Sequence, residues 1–283
     1  PSTTWTRRLT VMNKITASKL PKVLVATGAS GGHIFPALAI AEALRMHGFE
    51  SVFAVGGKRF DEKIKEAQFS VQHLPAAPWS GRGFVGKAAA LVTVARSFLA
   101  TLKLIKEHQP KVVLGTGGYA SVAAILAARW AGVPTVIHEQ NAIPGRANTF
   151  LSKFATRILL GFDVAKDKFG PHANKCVVTG NPMRQDIIAA TNTEIPNTPP
   201  FRILLLGGSK GAVFLSQLLP QALRELSEGQ LTQLAIVHQA PDDIPQIEEK
   251  YRALGVYEYK VEPFFSDMPA ELSAAHLVIG RAG

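Results

Sequence analysis

The sequence contains one cysteine, Cys176, in 283 residues. No disulfide can form within the chain and no cysteine-rich zinc site can be built, which fits a reducing cytoplasm. Within KCVVTG at 175–180 the residue reads as a small buried hydrophobe. Long apolar runs are missing too. A spanning helix needs about 18 uninterrupted apolar residues, and the longest stretches, such as Ser121–Ala128, are shorter and end at Arg129. Acids are absent before Glu42, whereas Arg7, Arg8, Lys14, Lys19 and Lys22 already stand in the first 22 residues. That segment has no apolar core followed by a small-residue cleavage site, so a secretory signal is not expected in it.

What is present describes a folded protein. Hydrophobic residues make up 47% and charged residues 18%, which argues against disorder. The length suits two α/β domains or one large one. The formal charge of +10 suggests an anionic partner: nucleic acid, anionic lipid or a phosphorylated substrate. No nucleic-acid module is recognisable, which leaves phosphate or a lipid surface, with solubility as the plain alternative.

Along the chain, strands alternate with helices. KVLVAT at 22–27 is a strand, followed by a glycine-rich turn and a helix from about Ile34 to Met46 closed by Gly48. Strands follow at 51–55, 111–115, 134–139, 156–161 and 175–180, with helices over 87–108 and 120–131. Short apolar runs without alternation are what a parallel sheet buried on both faces produces, so this part is a doubly wound α/β domain. The polar, proline-rich TNTEIPNTPP at 191–200 reads as a linker. A second α/β series then opens with the strand at 201–208, a helix over Ala212–Glu228, and strands near 232–238, 257–261 and 276–280. The expected division is a basic extension over 1–21, a first domain over 22–190, the linker over 191–200 and a second domain over 201–283. A last strand without its covering helix leads to the expectation of a C-terminally truncated second domain, and Met12 looks like a natural start.

Three glycine-rich turns sit at strand C-terminal ends: TGASGGH at 27–33, GTGGYAS at 115–121 and GGSKGA at 207–212. Glycine lets backbone amides approach a ligand, and the helix that follows turns its positive end toward an anion. Ser30, Ser121 and Ser209 add hydroxyl donors. Each turn alone could be only a tight strand-to-helix connection. Three of them point to phosphate handling in a cleft between two domains. A dinucleotide-binding reading fails on spacing, since the first loop has Gly28, Gly31 and Gly32 and no acid ends the second strand at Val55-Gly56-Gly57. The Walker pattern fails because Lys210 lies inside its loop. His33, at the mouth of the first helix, is a candidate general base, because a helix N-terminus favours neutral imidazole. HEQN at 138–141 places four polar side chains after a buried strand, as if to face a cleft. Arg184 in NPMR stands at a helix start, suited to a phosphate or to a surface ion pair.

Together these pieces resemble the MurG family. The matching stretches include ATGASGGHIFPALAIAEAL, VVLGTGGYASVAAILAA, GVPTVIHEQNAIPGRANTFL, VVTGNPMR, ILLLGGSKGA, FFSDM and LVIGRAG, in family order from about Lys22 to Gly283. The resemblance implies an α/β GT-B glycosyltransferase of two Rossmann-like doubly wound domains with a cleft between. It implies transfer of N-acetylglucosamine from UDP-N-acetylglucosamine to the 4-hydroxyl of undecaprenyl-diphosphate-linked N-acetylmuramoyl-pentapeptide, with inversion. By the same resemblance His33 stands near the reacting hydroxyl. Ser30, Gly31, Gly32, Asn141, Arg184 and Ser209 match the donor side, and Phe265 matches a position whose backbone meets the uracil. Gly117, Gly118 and Tyr119 match the acceptor and phosphate loop. No Asp-x-Asp pair is placed to hold a metal at the diphosphate, so metal-independent transfer without a cofactor is the simpler reading. The segment Trp79–Lys103, with Arg82, Lys87, Arg96 and Lys103 among Phe84, Val85, Leu91, Val94 and Phe98, resembles the family's membrane-facing patch. An anionic membrane surface is thus an expected partner, nucleic acid is not, and the expected location is the cytoplasmic face of the bacterial inner membrane.

The chain departs from the family in places. Ala29 and Ser30 stand where Gly-Thr is common, Lys210 where glutamine is common, and the family's residues after RAG, which supply an acid for ribose, are not in this sequence. Other readings are an inactive fragment that binds lipid or partners, or another sugar-nucleotide enzyme such as an epimerase or a glycolipid glucosyltransferase. A dinucleotide oxidoreductase would have to bind NADH, which the loop spacing does not support.

Overall fold

The computed structural model describes residues 20–76, 84–190, 194, 198–207, 213–240 and 242–280, with side chains from residue 89 in the helix that opens at Phe84. Nearly all of the basic extension, most of the 191–200 linker, Trp79, Arg82, Ser209 and the last three residues lie outside the described residues. The chain divides into two compact units, one ending at Pro182 and the other beginning at Met183. The division falls ahead of residue 190 because the helix Gln185–Ala190 packs on Met268–Ala274. Ser273 Oγ donates to the Ala190 carbonyl at 3.3 Å.

The first unit is built on strands β1 (Lys22–Thr27), β2 (Glu50–Val55), β3 (Ser70–His73), β4 (Val112–Gly115), β5 (Thr135–Glu139), β6 (Arg157–Leu160) and β7 (Cys176–Val178). They form one seven-stranded sheet in the order β3-β2-β1-β4-β5-β6-β7, with every neighbouring pair parallel. The helices are α1 (Gly31–Met46), α2 (Asp61–Glu66), α3 (Phe84–His108), α4 (Gly118–Trp130) and α5 (Arg146–Leu151). Successive strand residues face opposite sides. Val23 and Val25 of β1 therefore join Phe53, Ile34, Ala37 and Leu38 in one core. Leu24 and Ala26 join Val52, Leu104, Ala124 and Ile125 in the other. Both faces are covered, which is why the strands read as continuous apolar runs. The chain leaves β1 toward β2 on one side and meets β4 on the other. The β1/β4 pair is thus the switch point, where doubly wound sheets open a crevice at the strand C-terminal ends.

The second unit comprises α6 (Gln185–Ala190), β8 (Phe201–Leu206), α7 (Val213–Ala222), the short α8 (Glu228–Leu231), β9 (Leu234–Gln239), α9 (Ile244–Leu254), β10 (Glu258–Glu262), α10 (Met268–Ala274) and β11 (Leu277–Gly280). Its four-stranded parallel sheet runs β10-β9-β8-β11. One polar group crosses its core. The fully buried His238 lies with Nε2 2.9 Å from Ser216 Oγ on α7 and Nδ1 2.9 Å from Tyr251 Oη on α9. Burial pushes His238 down to about 4 and the Tyr251 phenol up, so this strut joining both helices to β9 stays uncharged near neutrality.

Several elements differ from expectation. The first helix opens at Gly31 rather than Ile34, because the loop glycines themselves form its first turn. The single helix expected over Ala212–Glu228 is α7, a 3₁₀ turn at Leu223–Glu225, and then α8. A capping box between Ser227 and Gln230 restarts the helix there. The short α2, β3, α5 and α10 and the eleven-residue α9 are not among the expected elements.

Candidate functional site

The first two glycine turns end adjacent strands and are pressed together. Gly28 N–H donates to the Gly117 carbonyl at 2.9 Å. Gly117 and Gly118 have φ of +113° and +82°, backbone states that side-chain-bearing residues seldom adopt. Space forbids a side chain as well. A Cβ on Gly118 would lie 2.6 Å from Gly28 Cα, and one on Gly117 would lie 2.7 Å from His33 Nε2 and Cδ2. The imidazole of His33 is thus lodged against the two loops. Its backbone N–H and that of Ile34 donate to the Ser30 carbonyl at 3.1 and 3.0 Å, which closes the first helical turn. Ser30 stands at the N-cap in extended conformation, but its hydroxyl lies 2.9 Å from His33 Nδ1 instead of capping an amide. With Nδ1–H donated to Ser30 Oγ, the Nε2 lone pair is left for chemistry. Burial holds His33 below the ordinary histidine range, with the Glu139 carboxylate pulling weakly upward. A half-buried, neutral imidazole at a helix N-terminus is suited to accept a proton.

Ser121 plays a different part from the phosphate donor expected of it. It is fully buried, its Oγ lies 2.8 Å from the Ala26 carbonyl and 2.7 Å from the Gly117 carbonyl, and it accepts the Gly117 N–H at 3.2 Å. Its hydroxyl is consumed in binding the second loop to β1. Tyr119, by contrast, is 41% exposed at the start of α4.

HEQN also departs from expectation. His138 and Glu139 are 1% exposed and face inward. The Glu139 carboxylate accepts from Asn141 N–H and Nδ2 at 3.0 Å each, from Gly145 N–H at 3.0 Å and from Asn148 Nδ2 at 2.9 Å. A buried charge needs such satisfaction, and these bonds shape the 140–145 loop. Asn141 is held with its Nδ2 bonded to Glu139. Gln140 Nε2 donates to the Thr116 carbonyl at 3.0 Å, and His138 Nε2 lies 3.3 Å from the Gly180 carbonyl. Burial lowers the proton affinity of His138.

In the second unit, Arg184 precedes α6, with Nε 3.3 Å from Asp186 Oδ1. Phe265 as a whole is 2% exposed; its ring packs in a core with Leu204, Val237 and Ala275 and lies under Lys260 Nζ at 5.0 Å. Ser209 belongs to the third loop, outside the described residues. The fold therefore brings Ser30, Gly31, Gly32, His33, Gly117 and Gly118 to one place at the β1/β4 switch point, and holds Asn141 at the end of the neighbouring β5. Sequence reasoning missed Thr116 and the anchoring roles of Glu139 and Gln140. An acid ending the buried strand TVIHE was the available signal.

Two doubly wound parallel sheets, with glycine loops at strand ends, define a Rossmann-like α/β protein of the GT-B kind. The chain matches the glycosyltransferase family 28 N-terminal domain over residues 23–160 and the C-terminal domain of the same family over residues 202–283. It is 40% identical over 270 residues to the UDP-N-acetylglucosamine--N-acetylmuramyl-(pentapeptide) pyrophosphoryl-undecaprenol N-acetylglucosamine transferase of Methylobacterium nodulans, covering 93% of this chain and 72% of that protein. The enzyme of the same name from Brucella abortus is 38% identical, with 92% and 69% covered. The crystal structure of Acinetobacter baumannii MurG superposes with a TM-score of 0.68 at 29% identity, covering 93% of this chain and 74% of that one. The UDP-GlcNAc 2-epimerase of Neisseria meningitidis bound to UDP-GlcNAc superposes at 0.64 with 14% identity, covering 93% and 78%, a likeness of fold alone. The chain belongs to glycosyltransferase family 28 and, within it, to the MurG family.

The loop contact makes a direct prediction for stability. Gly132 has φ +73° and open space around its Cα, so Gly132→Ala pays only for the backbone state, about 1 kcal/mol. Gly118→Ala adds a clash with the Gly28 backbone and is expected to cost more than about 3 kcal/mol. Urea unfolding of the two variants checks the difference; equal costs would mean the loops are not in contact.

Proposed function

We infer that this chain transfers N-acetylglucosamine from UDP-N-acetylglucosamine to lipid-linked N-acetylmuramoyl-pentapeptide, converting lipid I to lipid II in peptidoglycan synthesis. The observation that carries the mechanism is the lodging of a neutral His33 between two glycine loops at the β1/β4 switch point. In our reading the acceptor 4-hydroxyl attacks the anomeric carbon, its proton passes to His33 Nε2, and the bond to the UDP oxygen breaks with inversion. Negative charge then grows on the departing diphosphate. Amides of the glycine loops, the positive helix ends behind them, Ser209 and Arg184 would offset it by preorganised electrostatics. Asn141 would meet the donor sugar through its Oδ1, and the Phe265 backbone would meet the uracil. Gly117, Gly118 and Tyr119 would form the acceptor side. None of these steps requires a metal or cofactor.

The acceptor is a lipid, so the enzyme must work at a membrane surface. No described helix is long and apolar enough to cross one. Val92, Arg96, Leu99 and Lys103 recur every three or four residues along α3 and are exposed, as is Leu91. Phe98 instead packs against the core. We read the exposed stripe as a peripheral docking face for anionic lipid, and the cytoplasmic face of the inner membrane is the location in keeping with a nucleotide-sugar donor.

Two experiments test these readings. UDP release from UDP-N-acetylglucosamine is expected to require a soluble lipid-linked muramoyl-peptide acceptor and to fail with UDP-glucose; acceptor-independent release would contradict the transferase reading. His33→Ala should lower the acceptor-dependent rate roughly a hundredfold or more with little change in UDP affinity. Because burial lowers the His33 proton affinity, the wild-type rate should fall with acid at a midpoint below the ordinary histidine value of about 6.5. For docking, Leu99→Glu should weaken sedimentation with phosphatidylglycerol vesicles and leave acceptor-dependent turnover of the soluble acceptor unchanged. Equal sedimentation of both proteins would remove the stripe from membrane binding.

A further inference from the structure

Thr116 sits between the last residue of β4 and the two loop glycines, and it is fully buried. All three of its polar groups are used, toward the end of β1, the first turn of α1 and the residue following β5. Its N–H donates to the Ala26 carbonyl of β1 at 3.1 Å. Its hydroxyl donates to the His33 carbonyl at 3.0 Å, across 83 residues of sequence. Its carbonyl accepts Gln140 Nε2 from the end of β5 at 3.0 Å. The line continues, for the Gln140 carbonyl accepts Asn181 Nδ2 at 3.1 Å. The Asn181 side chain lies where a Cβ on Gly161 would sit, so glycine at that position after β6 leaves it room. A row of hydrogen bonds therefore crosses the C-terminal edge of the sheet and ends on the backbone of His33.

We propose that Thr116 and Gln140 are positioning residues for His33, fixing the imidazole between the glycine loops by holding its backbone carbonyl while Ser30 holds the ring. The proposal rests on the reading of His33 as the group that accepts the acceptor proton. Ser30 Oγ tethers the ring at Nδ1, and Gly28 and Gly117 confine it sterically. Neither contact reaches the His33 backbone. The Thr116 hydroxyl does, and Gln140 fixes the peptide unit from which that hydroxyl projects. Glu139 is the charged group that acts on His33, and its four bonds are untouched by changes at either residue. A shift of the ring by about 1 Å would cost up to a hundredfold in rate.

Thr116→Val keeps the shape, the N–H and the carbonyl and deletes only the bond to His33; Thr116→Ser restores it. Gln140→Met deletes the donor to Thr116 at similar size. The full chain is compared by kcat and KM for UDP-N-acetylglucosamine. The His33 ring signal, assigned by its loss in His33→Ala, is followed by NMR across pH. Thr116→Val is expected to lower kcat about tenfold with KM within about twofold. It should also move the His33 titration upward toward the ordinary range as water reaches a loosened ring. Thr116→Ser should recover both, and Gln140→Met should move the titration the same way. A moved titration with unchanged kcat supports positioning and overturns His33 as the base. An unmoved titration in Thr116→Val, or in Gln140→Met should the first variant not fold, overturns the positioning role itself.

Discussion

The close approach of Gly28 to Gly117 and Gly118 is the contact on which the site depends. At a switch point such as β1/β4, paired strands send their following loops toward opposite faces of the sheet. Here the loops touch through bare backbone, with one hydrogen bond from Gly28 N–H to the Gly117 carbonyl and no room for a Cβ on either Gly117 or Gly118. The consequence is chemical as well as steric. An imidazole inserted at such a junction loses most of its water, and desolvation disfavours the charged form. The same contact brings two helix N-termini, α1 and α4, to neighbouring strand ends. Their unpaired first-turn amides are then a natural place for an anion.

Around that junction the polar side chains mostly serve the backbone. Glu139 satisfies the Asn141 and Gly145 backbone N–H groups and the side-chain amides of Asn141 and Asn148, tying its loop to α5. Ser121 ties the second loop to β1, and Gln140 and Thr116 connect strand ends. Loops so restrained present their amides and His33 without reorganising, which is the condition under which dipoles contribute most to stabilising a transition state. The second unit follows the same economy with one uncharged strut, Ser216–His238–Tyr251, fixing the helix that follows the third glycine loop.

Much of this was legible in the residues. Apolar runs without alternation indicated the parallel sheets, and the glycine turns marked the strand ends that matter, because local chemistry and tertiary role coincide there. HEQN was read in the wrong direction for two of its members: a polar residue after a buried strand can face a ligand or satisfy the backbone, and composition does not distinguish the two. Ser121 failed for the same reason. Gln140 and Thr116 are 24 residues apart in sequence, so only the fold brings them together. The missed elements were mainly short, such as β3 with its four residues at the sheet edge. The helix Ile244–Leu254 was longer, and its proline near the start and Gly255 at its end were signals that could have been used.

The central claim is that His33 is held, neutral, at the point where the acceptor hydroxyl loses its proton. The most direct measurement is a crystal structure with UDP and a soluble lipid-linked muramoyl-peptide analogue bound together. The account predicts the muramoyl 4-hydroxyl within about 3 Å of His33 Nε2, directly or through one water. A bound acceptor whose 4-hydroxyl lies beyond that reach, with another side chain beside it, would contradict the account.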